Sequence, residues 1–304
     1  MPNLAVEIGK IKMKNPVMVA SGTFGYGQEY EELVDLYRLG AFLTKSITLE
    51  PREGNHPPRV CETPLGMLNS IGLANVGLEA FVREKMPFLR GVQIPIIVSI
   101  AAESIKDYLR LAQSLSKVEG ISGLELNISC PNIERGGMEF SQDPTTTLKL
   151  IKRIRNCTEL TLIAKLTPNV TNIGLVAKAA EDGGADAIAL INSVLGMAVD
   201  VDTRAPTLAN VTGGLTGPAI KPIALRCLWE VKKIVDLPLI GMGGIMGWKD
   251  ALEFIITGAR AVACGTANFV DPETVLKVID GLTNYLKENE IEDIKDLIGT
   301  LRTE

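Results

Sequence analysis

Residues 123–137 read GLELNISCPNIERGG. Leu124, Leu126 and Ile128 alternate with Glu125, Asn127 and Ser129, the two-residue period of a strand, and the run breaks at Pro131. Asn127, Ser129, Cys130 and Asn132 crowd the break, and Gly136-Gly137 then frees the backbone. A strand that opens into a polar, glycine-containing loop is the unit from which α/β barrels build their sites. Taken alone, the stretch fits a turn beside a small buried cysteine equally well.

The rest of the chain decides between the two. Eight short β-rich segments recur: PVMVAS (16–21), AFLTKS (41–46), IPIIVSI (94–100), GLELNIS (123–129), TLIAKLT (161–167), AIALINS (187–193), PLIGMGG (238–244) and AVACGT (261–266). Most are almost continuously apolar, as parallel strands under a layer of helices are. Helical patterns run between them, at 103–118, 144–155, 171–182, 219–235, 247–257 and 272–287. Eight β/α alternations in 304 residues predict a TIM (β/α)8 barrel rather than an open sheet, with one domain spanning residues 1–304. Ahead of the first strand, LAVEIGKIKMKNP reads as a short N-terminal β-hairpin turning at Gly9 and closing the barrel's bottom.

Composition narrows the function. Apolar residues make up 46% and charged residues 22%, and the net charge of −5 gives no general attraction to nucleic acid or anionic membrane. No apolar run reaches the roughly 18 residues of a spanning helix, and the N-terminus lacks a signal-peptide pattern, so the cytoplasm is expected. The five cysteines, at 61, 130, 157, 227 and 264, are scattered with no C-x-x-C pair, which argues against a disulfide framework and against a bound metal or cluster. With His56 as the one histidine, proton transfer would fall to cysteine, lysine or a carboxylate.

The strand ends are informative together. They give Ser21-Gly22, Lys45-Ser46, Ser99, Asn127 with Cys130, Lys165, Asn192-Ser193, Gly243-Gly244 and Gly265-Thr266. Small, polar and cationic residues thus end eight apolar strands, the pattern of a rim that holds a polar ligand. GMGGIMG (241–247) and CGTANF (264–269) follow strands seven and eight, where barrels commonly bind phosphate through backbone N–H groups. GMGGIMG is not a dinucleotide fingerprint, because position 246 is methionine. Lys45 and Lys165 interrupt apolar strands, and at the rim they suit a bound anion such as a flavin phosphate or a reduced flavin ring. NSIGLAN (69–75) adds amides ahead of a helix.

These residues resemble the dihydroorotate dehydrogenases, in particular the NAD-linked two-subunit class. The resemblance spans essentially the whole chain and rests on ASGTFGYG (20–27), LTKSIT (43–48), LNSIGLAN (68–75), NISCPNIERGG (127–137), AKLTPNV (164–170), INS (191–193), GGLTGPAIKP (213–222), GMGGI (241–245) and ACGTANF (263–269). It implies an FMN enzyme of pyrimidine (UMP) biosynthesis that oxidises dihydroorotate to orotate, with Cys130 as the base that removes the C5 proton. It implies FMN contacts from Ser21, Lys45, Ser46, Ser99, Asn127, Lys165, Ile191, Gly217, Gly243, Gly244, Gly265 and Thr266. Substrate would meet Lys45, Asn69, Ser70, Ile71, Gly72, Leu73, Asn127, Asn192 and Ser193. Ser99 departs from the asparagine of many relatives.

The implied partner is a subunit carrying FAD and a [2Fe–2S] cluster, joined to a homodimer of this chain in a heterotetramer. Alternatives are the fumarate-linked class, the barrel of dihydropyrimidine dehydrogenase, and a non-redox barrel binding a phosphorylated metabolite. The chemistry of the residues agrees with the resemblance: one lysine suits a carboxylate, and asparagine matches ring amide edges with a donor and an acceptor. Cysteine, with an ordinary pKa of about 8.5, is within reach of proton abstraction near neutrality.

Overall fold

The computed structural model describes residues 2–128 and 137–303. At its centre run eight parallel strands: β1 (Val17–Val19), β2 (Phe42–Leu43), β3 (Ile96–Ile100), β4 (Ile121–Asn127), β5 (Thr161–Leu166), β6 (Ala187–Leu190), β7 (Leu239–Met242) and β8 (Ala259–Cys264). They pair in chain order, with β8 beside β1. A bridge from Met18 to Ala41 closes the ring, and the Gly40 N–H donates to the Val17 carbonyl at 2.9 Å. This is the TIM barrel the alternation predicts. Pairing sets the rim level: Asn127 of β4 stands beside Lys165 of β5, and Leu190 of β6 beside Gly241 of β7.

The outer helices follow the predicted stretches because their apolar stripes and caps are local. Helix Ile105–Leu115 buries Tyr108, Leu111, Ala112 and Leu115, one face at helical spacing. It starts at Ser104, whose hydroxyl accepts the Asp107 N–H at 3.1 Å. Helix Pro144–Arg155 is capped by Asp143, which accepts from the Thr145 and Thr146 N–H groups, and it ends in Lys152, Arg153 and Arg155, cations that complement its dipole. Helices Ile173–Asp182, Lys221–Lys232, Trp248–Thr257 and Thr274–Glu288 complete the coat.

The first two crossovers depart from this scheme. Between β1 and β2 run two short 3-10 turns, Gln28–Tyr30 and Leu36–Arg38. Gly22, Gly25 and Gly27 weaken any helix there, and Phe24 stacks on Tyr30 at 3.8 Å instead. Between β2 and β3 a helical stretch, residues 77–91, widens to a π turn at Phe81–Lys85 just before Pro87, whose missing N–H interrupts the ladder.

Two further pieces close the barrel's ends. At the bottom, the hairpin Val6–Ile8 and Ile11–Met13 buries all four of its apolar side chains. Lys10 N–H donates to Thr161 Oγ1, at the start of β5, at 3.0 Å. At the top lies a four-stranded antiparallel sheet absent from the sequence reading: Val60–Thr63, Gly66–Asn69, Thr212–Thr216 and Val194–Met197, adjacent in that order. It joins the loop after β2 to the loop after β6. Gly66 is required where the two meet, since a Cβ there would lie 1.9 Å from the Thr216 carbonyl oxygen.

Candidate functional site

Beneath this canopy, at the C-terminal rim, the barrel encloses a cavity of about 350 Å³. That volume lies within the roughly 300–1,000 Å³ of small-molecule and cofactor sites. Ser21, Lys45, Ser46, Asn69, Ile71, Gly72, Leu73, Asn127, Lys165, Ile191, Asn192, Ser193, Gly217, Gly243, Gly244, Gly265 and Thr266 all line it. Seven of the eight strand ends therefore contribute to one chamber. Ser99 does not line it; its hydroxyl lies directly behind that of Ser46, at 2.8 Å. Ser70 is buried behind the wall, with no hydrogen-bond partner for its hydroxyl among the described residues. Cys130 and Asn132 lie outside the described residues.

Two glycine-containing turns, after the neighbouring strands β7 and β8, line the chamber. Gly243 and Gly244 follow β7 with φ of 119° and 80°, and Gly265 and Thr266 follow β8. Among the described residues, nothing accepts from the N–H groups of these four. Four half-buried N–H groups without a protein acceptor, on turns that line one cavity, suit an anion with several oxygens. Glycine is needed at 244, where a Cβ would stand 2.7 Å from Lys221 Cβ and 2.9 Å from the Gly217 carbonyl oxygen.

The cations are held in different ways. Lys165 is buried, and its ammonium donates to Ser21 Oγ at 2.8 Å and stands 3.8 Å from Glu125 Oε1. In the sequence Glu125 is a polar position of a strand, yet it faces Ser99 and Lys165 inside the barrel and is 1% exposed. Lys45 has its pKa lowered, first by burial, then by the positive charge of Arg59, with Glu29 opposing. Arg59 also lines the cavity, held by the carbonyls of Glu53 at 3.2 Å and Asn55 at 3.4 Å. It was missed in the sequence because it lies in a proline-rich loop, and the canopy sheet is what carries it over the mouth. Met67 and Thr216, on canopy strands, join the lining in the same way, and Phe269 joins it from the short helix Ala267–Val270 that follows β8.

The amide side chains form a connected row. Asn192 Nδ2 donates to Asn127 Oδ1 at 3.3 Å, and Asn127 Nδ2 donates to Ser46 Oγ at 3.1 Å. Asn69 Nδ2 donates to the Gly214 carbonyl at 3.1 Å, within the canopy sheet. The chamber therefore brings together open N–H donors, cations and fixed amides. That set can hold a phosphorylated group beside a small planar carboxylate with amide edges. Away from it, the buried Cys264 thiol is pushed up to about 12 by burial, so this cysteine is an unreactive packing residue. No helix among the described residues is long and apolar enough to cross a membrane.

Comparison with known proteins points the same way. The sequence profile of the family described as "Dihydroorotate dehydrogenase" matches residues 3–286. A protein of Thermoanaerobacter sp. (strain X514) is 53% identical over 302 residues, covering 99% of this chain and 100% of that one. Its name is dihydroorotate dehydrogenase B (NAD(+)), catalytic subunit. Proteins of the same name from Geotalea uraniireducens and Bacteroides thetaiotaomicron are 52% and 48% identical, each covering 99% of both chains. With the profile matched along nearly its whole length, this chain belongs to the dihydroorotate dehydrogenase family.

Proposed function

We propose that this chain oxidises dihydroorotate to orotate with FMN in the rim cavity, as the catalytic subunit of an assembly that delivers the electrons to NAD. The observation that carries the reading is the joint lining of one cavity by the open N–H groups at 243–244 and 265–266, by Lys45 and Lys165, and by Asn69, Asn127 and Asn192. The residues present fit FMN, since its phosphate matches the main-chain donors and its ring matches a chamber of this size. When bound, FMN supplies the acceptor for the hydride that leaves C6 of the substrate.

The chain's own groups do the rest. The N–H groups of Gly243, Gly244, Gly265 and Thr266 bind phosphate. The Lys165 ammonium, held by Ser21 and Glu125, presents a stationary positive charge where charge develops in the reaction. Lys45 binds the substrate carboxylate. Asn69, Asn127 and Asn192, with Ser193, orient the ring by its amide edges. Cys130 takes the C5 proton onto its sulfur. Ile71 and Leu73, in the loop that follows the canopy strand Gly66–Asn69, exclude water from the ring.

The relatives' designation as catalytic subunits supports a second chain, which in this reading carries FAD and a [2Fe–2S] cluster and completes a heterotetramer around a homodimer of this one. The reaction is placed in the cytoplasm. The test is to purify the chain, identify any acid-released flavin, and assay dihydroorotate oxidation with NAD, fumarate and a quinone. A yellow protein with one FMN per chain is expected. A colourless preparation, or FAD in place of FMN, overturns the cofactor assignment. Efficient turnover with fumarate moves the chain to the fumarate-linked class.

A further inference from the structure

Below the cavity floor a hydrogen-bonded row runs in one direction and ends on a buried acid. Asn192 donates to Asn127 at 3.3 Å, Asn127 to Ser46 at 3.1 Å, and Ser99 to Glu125 Oε1 at 2.9 Å. Ser46 and Ser99 are 2.8 Å apart. A carboxylate only accepts, so the Ser99 hydroxyl proton must point at Glu125. The Ser46 hydroxyl must then donate to Ser99, which leaves its oxygen to accept from Asn127. The Asn127 amide is thereby turned with Nδ2 down and Oδ1 toward Asn192. Glu125 lies two positions before Asn127 on β4, and the same carboxylate oxygen stands 3.8 Å from the Lys165 ammonium.

We infer that Glu125 is a positioning residue for the reaction, setting the direction of the Asn127–Asn192 amides through Ser99 and Ser46 while offsetting part of the Lys165 charge. The inference rests on the dihydroorotate reading of the same cavity. A ring amide edge is read by the placement of one donor and one acceptor, so reversing the row would present the wrong group to the ligand. The amide of Glu125→Gln can donate to Ser99 and permit that reversal. It would also leave the Lys165 charge unbalanced beneath the site. The two effects travel by different routes, one along the hydroxyls and one through the ion pair, and they can be separated.

Glu125→Gln and Ser99→Ala make the separation. In the FMN-loaded protein, orotate binding is followed by titration of the flavin absorbance, and the flavin midpoint potential is measured independently. Ser99→Ala cuts the row and spares the ion pair, so orotate should bind about tenfold more weakly, the loss of one well-aligned hydrogen bond, with the potential unchanged. Glu125→Gln should weaken orotate similarly and also raise the potential, because Lys165 then stabilises the reduced, negative ring without opposition. Glu125→Asp, which keeps the charge, should restore the potential. If both variants hold FMN and bind orotate within twofold of the parent, the positioning role is overturned. An unchanged potential in Glu125→Gln overturns the charge-balancing half. Should Glu125→Gln fail to fold, Ser99→Ala still decides the row and Glu125→Asp tests the pair. Failure of the underlying reading looks different: the parent protein itself would bind no orotate.

Discussion

At the scale of single residues, the site is governed by what burial does to charge. Lys165 and Glu125 are 6% and 1% exposed at their side chains and compensate one another at 3.8 Å. Lys165→Met leaves a carboxylate buried without its cation, which should cost about 3–5 kcal/mol in urea unfolding, and adding Glu125→Gln should recover much of that. The same substitution removes a positive charge beneath the reduced ring, so the potential of bound FMN should fall. Lys45 predicts a pH dependence. Its pKa lies below the usual 10.5, first because of burial, and only the protonated form holds a carboxylate. Orotate affinity should therefore decline as pH rises through that lowered value, before pH 10.5, and Lys45→Met should bind weakly with this step absent. Cys130→Ser should keep FMN and orotate binding yet reduce the flavin at least a hundredfold more slowly at neutral pH, recovering partly in alkali. Stopped-flow absorbance measures the rate, and a near-parent value would remove Cys130 as the base.

At the scale of elements, the decisive features are the turns that follow strands and the sheet that covers them. The 243–244 turn lines the cavity with a backbone that adopts positive φ. Gly243→Val forces a β-branched residue into that region and drives a side chain against Ala224, Ile220 and Ile191, which a Cβ alone would approach at 3.1, 3.3 and 3.4 Å. Strain of about 1–3 kcal/mol at a ligand cradle corresponds to roughly a five- to hundredfold loss of affinity, so this variant should purify colourless. Free FMN added back should bind measurably more weakly by fluorescence quenching, while circular dichroism stays that of the parent. The canopy acts on the substrate side. It carries Asn69 and Arg59 over the mouth by pairing residues 60–63 with residues 66–69 and residues 67–69 with residues 214–216, about 150 positions away in the chain.

At the scale of the whole molecule, one barrel is sealed below by its N-terminal hairpin and covered above by the canopy, leaving the chemistry in a single chamber. The sequence offers no C-x-x-C pair and no G-x-G-x-x-G turn, the local devices by which chains commonly hold a cluster or a dinucleotide. The isolated chain should therefore reduce its own flavin with dihydroorotate and pass electrons to artificial acceptors. NADH formation should be slow until the FAD/iron–sulfur subunit is added. Recording NADH absorbance with and without that subunit checks this, and rapid NAD reduction by the chain alone would overturn the two-subunit reading.

The sequence by itself determined the eightfold alternation, the six long helices and the residues at the strand ends, because each is written in local terms. Hydrophobic period, caps such as Ser104 and Asp143, and glycines after strands act within a few residues of chain. Even the N-terminal hairpin was legible, from its alternation around Gly9. Other features were settled only in three dimensions. The canopy strands are short and partly exposed, so they lack a continuous apolar run, and of their three pairings one alone, residues 60–63 with 66–69, is a tight local hairpin. Arg59 reaches the cavity only through that folding. Glu125 alternates with leucines as any solvent-facing strand residue would, yet ring closure turns its face inward, where Lys165 and Ser99 make its charge tolerable. Ser99 stands at a strand end like its neighbours, but the register of β3 against β4 aims its hydroxyl at Glu125 rather than into the chamber. Which way a polar side chain faces depends on what the closed barrel places opposite it, and that partner lies far away in the sequence.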